Sequence, residues 1–181
     1  GDGREFFFLG DLVEDFDVHR IIKSSAAFSF EKLDWLNGEH IRRLSGEQFH
    51  RTALAYYPRE VADTLDTQKI SRIIQPRVVK LTDIPEMASF LVRMPAYSSD
   101  LYNHEKSQST EETSRWVLEN VCPILSRAQV WTNEVLYDEL ARFAQAANLK
   151  IRPVMRPLRV ALSGCMITAG GATKIAEIIG K

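Results

Sequence analysis

Apolar residues recur along this chain at spacings of three and four, and no stretch of useful length alternates apolar with polar. The spacing predicts helices throughout. Leu9, Leu12, Val13 and Phe16 share one helical face within an acidic stretch, in an opening thirty residues that also hold Phe6, Phe7, Phe8, Phe28 and Phe30. Phe30, Leu33, Leu36 and Leu44 fit a second helix, which Asn37-Gly38 is expected to interrupt. Ser45 and Gln48 have capping-box spacing ahead of Phe49, Ala53 and Leu54, and Tyr57-Pro58 marks a break. From Asp66 to Val92 the stripe Ile70, Ile73, Ile74, Val78 and Leu81 reads as helix. Pro76 must kink or end that helix, and a restart near Pro85 carries Met87, Phe90 and Leu91. Residues 94–109 are polar and aperiodic, a linker between two parts. Ser109 and Glu112 are then expected to cap a helix bearing Trp116, Val117, Val121, Ile124 and Leu125. A further helix runs from Asn133 to Asn148, and Arg159, placed after Pro157 and before an apolar run, is expected to open the next. The fold class is therefore mostly α.

Composition narrows this picture without redirecting it. With 181 residues, 45% hydrophobic and 26% charged, the chain suits one ordinary domain or two small ones and excludes a disordered or collagen-like protein. Apolar runs such as Phe6 to Leu9 fall far short of the roughly 20 residues of a spanning helix, and the acidic opening is unlike a signal peptide. Cys122 and Cys165 form no Cys-x-x-Cys pair, which fits a reducing cytoplasm and gives no support to a metal site. Net charge is −1, yet it is unevenly spread: Lys150, Arg152, Arg156, Arg159, Lys174 and Lys181 face Glu177 alone after residue 149. That basic terminal stretch marks a place for a polyanion, or a solvated surface.

Three sequence features point to other chemistry and are weaker than they look. Gly164-Cys165-Met166-Ile167-Thr168-Ala169-Gly170-Gly171 resembles a phosphate loop, but no Gly-Lys-Ser/Thr follows. His19, His40, His50 and His104 have neither metal spacing nor a nucleophile partner, and read as surface or packing residues. Lys69-Ile70-Ser71-Arg72 echoes the Lys-Met-Ser-Lys loop of class I aminoacyl-tRNA synthetases, yet its isoleucines belong to an amphipathic helix.

From Glu31 to Arg42 the chain reads EKLDWLNGEHIR, which resembles the E-K-L-x-W-x-N-G-x-Y-I-R stretch of bacterial glutamyl-tRNA synthetases, with His40 for the usual Tyr. Gly3-Arg4-Glu5 ahead of Phe6-Phe7, then Phe16, Lys23-Ser24 and Phe28, are similar to the same family. So are Gln75-Pro76-Arg77 with Leu81, Trp131 ahead of a helix, and Arg156 to Gly164, similar to P-L-R-x-A-L-T-G. The resemblance covers nearly the whole chain in order. It departs at residues 169–178, where the family usually has P-G-L-F-E-I, and the family usually has another short helix after the position of Gly180-Lys181.

The resemblance implies a stem-contact region at 1–45, then two helical anticodon-binding subdomains at 46–108 and 109–181. It implies a monomeric partner of glutamate tRNA that binds neither membrane nor DNA. ATP and Mg²⁺ serve the intact ligase, and their motifs are absent here, so this chain should hold no cofactor and no catalytic residue. Carried over residue by residue, Arg77, Arg159 and Thr168 contact the anticodon, and Lys32 and Arg42 contact stem phosphates. Arg77 is assigned the third anticodon base, C in glutamate tRNA and G in glutamine tRNA. The chemistry agrees: arginine only donates, which suits the O2 and N3 acceptors of cytosine and conflicts with the N1 and N2 donors of guanine. A surface salt bridge from Arg77 to Asp83 or Glu86 is the ordinary alternative. Two other readings remain open for the whole chain: a helical protein-interaction module, and a paralogue that keeps the fold with altered RNA specificity.

Overall fold

The computed structural model describes residues 6–21 and 29–181. The Gly3-Arg4-Glu5 and Lys23-Ser24 blocks and Phe28 lie outside the described residues. Among those described there are ten α-helices and no strand: α1 (Leu9–Asp15), α2 (Phe30–Arg43), α3 (Gly46–Ala53), α4 (Arg59–Thr64), α5 (Thr67–Ile74), α6 (Ile84–Val92), α7 (Glu111–Arg127), α8 (Asn133–Ala146), α9 (Ile151–Ser163) and α10 (Ala172–Ile179). None of them is long and apolar enough to cross a membrane.

Local chemistry sets most of the helix starts. Ser29 Oγ accepts from Lys32 N–H to cap α2, and Asp66 Oδ1 accepts from Gln68 and Lys69 N–H to cap α5. The expected box opens α3: Gln48 N–H donates to Ser45 Oγ at 3.1 Å while Ser45 N–H donates to Gln48 Oε1 at 2.9 Å. Before α7 the box lies one residue later than Ser109 and Glu112, on Thr110 and Thr113. Ser109 is occupied elsewhere, since its backbone pairs both ways with His104.

Three expectations fail for tertiary reasons. First, α2 runs unbroken through Asn37-Gly38: Gly38 is buried, and a Cβ there would lie 3.0 Å from Arg42 Nη1, so the missing side chain leaves room for that guanidinium. Second, Pro157 lies inside α9, so Arg159 sits mid-helix and not at a helix start. An interior proline costs about 3 kcal/mol. Pro157 and Leu158 are both buried, so packing against the neighbouring helices offsets that cost. Third, residues 94–109 do not hang free. They form 3-10 turns at Ser99–Tyr102 and Glu105–Ser107 that dock on α7 and α9, with Arg156 Nη2 donating to Leu101 O at 2.9 Å.

Two cores result. Phe49, Ile70, Ile74 and Ile84 are fully buried in the first, and Val121, Leu136, Leu140 and Val154 in the second. Each such side chain contributes about 1.5–3 kcal/mol on burial. Helix α10 joins them: Ala172 and Ala176 pack in the second core and Ile178 in the first. Glu177 ties the same junction, accepting from Lys69 Nζ at 2.9 Å and from Asn133 N–H at 3.1 Å at the start of α8. A carboxylate is favourable at that helix N-terminus, where Thr132 supplies no side-chain cap. By contrast α1 buries none of its residues, and Leu9, Leu12, Val13 and Phe16 remain exposed.

Candidate nucleic-acid interface

Arg77 is held by its neighbours in the turn after α5. Proline removes the next N–H and stops that helix, and Gln75 Nε2 donates to the carbonyls of Ile41 and Leu44 at the end of α2. Arg77 is thus a turn residue, outside the helix the sequence match suggested. Its side chain is exposed and, among the described residues, makes no ion pair. Asp83 is engaged as a cap by Lys80 N–H. Glu86 lines the same groove as Arg77 without pairing to it.

That groove, about 520 Å³, lies between α6 and the loop after α9, and is walled by Met87, Phe90, Ile167 and Thr168. The loop leaves α9 at Gly164, whose φ of +64° is left-handed and whose absent Cβ would meet Pro95 and Tyr97 at 3.0 Å. Thr168 is buried, and its hydroxyl donates to Gly170 O at 2.7 Å. The proton is therefore committed, and only the oxygen lone pairs remain to accept from a ligand.

Arg159 projects from the middle of α9 and lines an adjoining groove of about 460 Å³ that shares Ile167. Burial first, and then the Arg77 guanidinium, push its pKa below the ordinary arginine value. Two guanidiniums distant in sequence thus stand close enough to repel. Arg156 shows the same pattern, lowered by burial and then by Arg159. Partial burial, then Arg156, Lys106 and Arg159, hold His104 below its usual value. The Nε groups of Arg156 and Arg159 are buried without a hydrogen-bond partner. Guanidinium stays charged at physiological pH, so this is a chain of like charges that an anion would stabilise.

The structure thus brings Arg77, Thr168 and Arg159 to one continuous surface. Lys32 and Arg42 line neither groove; both are on α2, separated from one another by roughly 15 Å along the axis and roughly 80° around it. Lys32 is exposed in the first turn. Arg42 donates from Nη2 to Glu39 Oε1 at 2.6 Å, and Arg43 pairs with the other oxygen of the same carboxylate. Arg43 also covers the Phe6 ring, 3.8 Å from its centroid, and His40 packs on Phe6 at 4.5 Å. His40 is thus a packing residue, its imidazole set against the Phe6 and Phe8 rings.

Of the charged and titratable residues of the second groove beyond Arg159, the sequence placed Arg152 and Arg156 only within a basic stretch, and it assigned no binding role to His104 and Lys106. The clustering of basic residues after 149 signalled Arg152 and Arg156, whereas His104 and Lys106 arrive from the 94–109 segment and carried no signal. Among the described residues no group of three His, Cys, Asp or Glu side chains is arranged to hold a metal ion.

Known proteins share this sequence and shape. The chain is 40% identical over its full 181 residues to the glutamate–tRNA ligase of Clostridium tetani and 39% identical over 178 residues to that of Clostridium acetobutylicum. It spans 37% of the length of each. A crystal structure of a glutamate tRNA ligase from Elizabethkingia meningosepticum superposes on 99% of the chain with a TM-score of 0.75, at 22% identity and over 35% of that protein. Its counterpart from Elizabethkingia anophelis gives 0.74. At that identity the superposition speaks to the helical fold alone. The anticodon binding domain family matches residues 48–181, which include the second core, all of the first but its α2 contribution, and every arginine of the two grooves, and the chain belongs to that family.

Proposed function

We propose that this chain is the tRNA-binding, carboxy-terminal part of a glutamate–tRNA ligase. In the intact protein the missing portion would activate glutamate with ATP and Mg²⁺ and transfer it to glutamate tRNA. The reading places the enzyme in the cytoplasm, as a monomer. It divides the chain into a stem-contact region at 1–45 and anticodon-binding subdomains at 46–108 and 109–181. The observation that carries it is the meeting of Arg77 and Arg159 on one surface without a paired carboxylate. Arginines left in that state await an anionic, acceptor-rich ligand, and single-stranded RNA with unstacked bases offers both phosphates and base edges.

Under this reading Arg77 selects the third anticodon base, Arg159 and Thr168 contact its neighbours, and Lys32 and Arg42 meet stem phosphates. The test compares transcripts of glutamate tRNA carrying C or G at the third anticodon position, at fixed salt. Arg77→Gln supplies an amide that both donates and accepts, so it should cost about 1–3 kcal/mol for C and relax discrimination at that base alone. Lys32→Ala should weaken both transcripts equally and flatten the salt dependence. An unchanged C-to-G preference in Arg77→Gln refutes the assignment of that residue, and failure of the wild-type chain to bind either transcript refutes RNA binding itself.

A further inference from the structure

The second groove holds more positive charge than one base-reading arginine requires. Lys106, Arg152, Arg156 and Arg159 line it together with His104, and none of its lining residues is acidic. Four exposed arginines elsewhere pair within a helix: Arg51 with Glu47, Arg59 with Asp63, Arg115 with Glu111, Arg142 with Glu139. Arg156 stands out further. Only 5% of it is exposed, one of its five N–H donors is spent on the Leu101 carbonyl, and its Nε has no partner. Burying a cation without a counter-ion is costly, and that cost falls when an anion arrives.

Two further features give the anion a shape. Tyr137 lines the groove and is 46% exposed, an aromatic face on which a base can stack. Ile167 belongs to both grooves, so a strand placing a base beside Arg77 can continue into this one. At about 460 Å³ the groove is within the roughly 300–1,000 Å³ of small-ligand sites.

We propose that this groove is a phosphodiester site for the single-stranded RNA loop, with Arg156 as its anchored cation and Tyr137 as the stacking face for the adjoining base. Arg152 and Lys106 add to its positive field. These contacts position the loop and read no sequence. The inference rests on the RNA-binding reading above and extends it to residues that reading leaves unused.

The test uses the 181-residue chain and a fluorescent anticodon stem-loop RNA across a salt series, with C or G at the third anticodon base. Lys106→Ala and Arg152→Ala, both at exposed positions, should each reduce the slope of log affinity against log salt by about one, equally for both RNAs. Arg156→Gln should weaken both RNAs about tenfold. Tyr137→Ala should weaken both alike, and Tyr137→Phe should not. In the wild type, a neutral methylphosphonate at one loop position should reproduce the Arg156→Gln loss, and it should cost nothing further in that variant. Should Arg156→Gln unfold through loss of the Leu101 contact, Lys106→Ala, Arg152→Ala and the methylphosphonate scan decide the matter. A changed C-to-G preference in these variants, wild-type salt slopes in all of them, or displacement of the RNA by polyglutamate at equal charge concentration overturns the proposal. A wild-type chain that binds no stem-loop defeats the RNA reading itself. Wild-type binding matched by every groove variant defeats this assignment alone.

Discussion

Two groups of arginines in this chain meet opposite electrostatic conditions. On α2, Glu39 serves Arg42 and Arg43 together, and those two hydrogen bonds, Arg42 first, pull its carboxyl below the usual range. At the junction of the α5 turn with α9, burial and then Arg77 lower the pKa of Arg159, burial and then Arg159 lower that of Arg156, and among the described residues none of the three has a carboxylate within ion-pair distance. The first arrangement is satisfied before any ligand arrives. The second becomes favourable only with an anion present, so under the proposed function it is where affinity resides, while the α2 arginines would have to exchange Glu39 for a phosphate. Exposed ion pairs are weak enough for that exchange.

The largest expected effect contrasts removal of one charge from each group. Arg159→Gln should reduce RNA affinity by about 1–3 kcal/mol and leave the thermal midpoint unchanged or slightly higher, because a repulsive, partly buried cation is gone. Arg43→Gln should lower the midpoint, through lost contact with Glu39 and the Phe6 ring, and barely alter affinity. Filter binding and thermal melts read the two quantities separately, and the reverse pattern would break the contrast.

A smaller effect is expected from Glu39→Gln. Neutralising the shared partner releases two guanidiniums, so RNA binding should strengthen modestly at low salt and return to wild type at high salt as screening removes the difference. Binding isotherms at two ionic strengths check this. If Glu39→Gln weakens binding instead, α2 faces away from the RNA.

The smallest effect concerns pH. A carboxyl with a lowered folded-state pKa contributes stability that is complete above its unfolded pKa and is lost as pH falls through the folded value. Acidification through the carboxylate range should therefore remove the Glu39 contribution, and Glu39→Gln should show a shallower loss of stability there. Denaturant melts at several acidic pH values measure the difference in slope.

Helix class and several boundaries were legible because capping acts over three or four residues. Ser45 with Gln48, and Pro76 as the end of α5, are decided by groups adjacent in sequence. Short α4 was overlooked, since six residues give too little periodicity to separate helix from turn. The α7 cap was displaced by one residue because His104 claims the Ser109 backbone, a pairing that no local pattern encodes. The match to a synthetase family named Arg77, Arg159 and Thr168. It carried no information that the Thr168 proton is spent on Gly170 or that Arg42 is already paired.

By itself, then, the sequence determined a mostly α chain, the capping box of α3, a basic terminal stretch and the likeness to glutamyl-tRNA synthetases. Each of these depends on residue type and short spacing, which the order of residues contains directly. Tertiary structure alone decided that Arg77 meets Arg159, that α10 links two cores, and that His104 and Lys106 join Arg152 and Arg156 in one acid-free groove. The reason is that a charge's environment is the sum over every group within a few ångströms. Those groups come from segments dozens of residues apart, brought together by burial of the apolar faces.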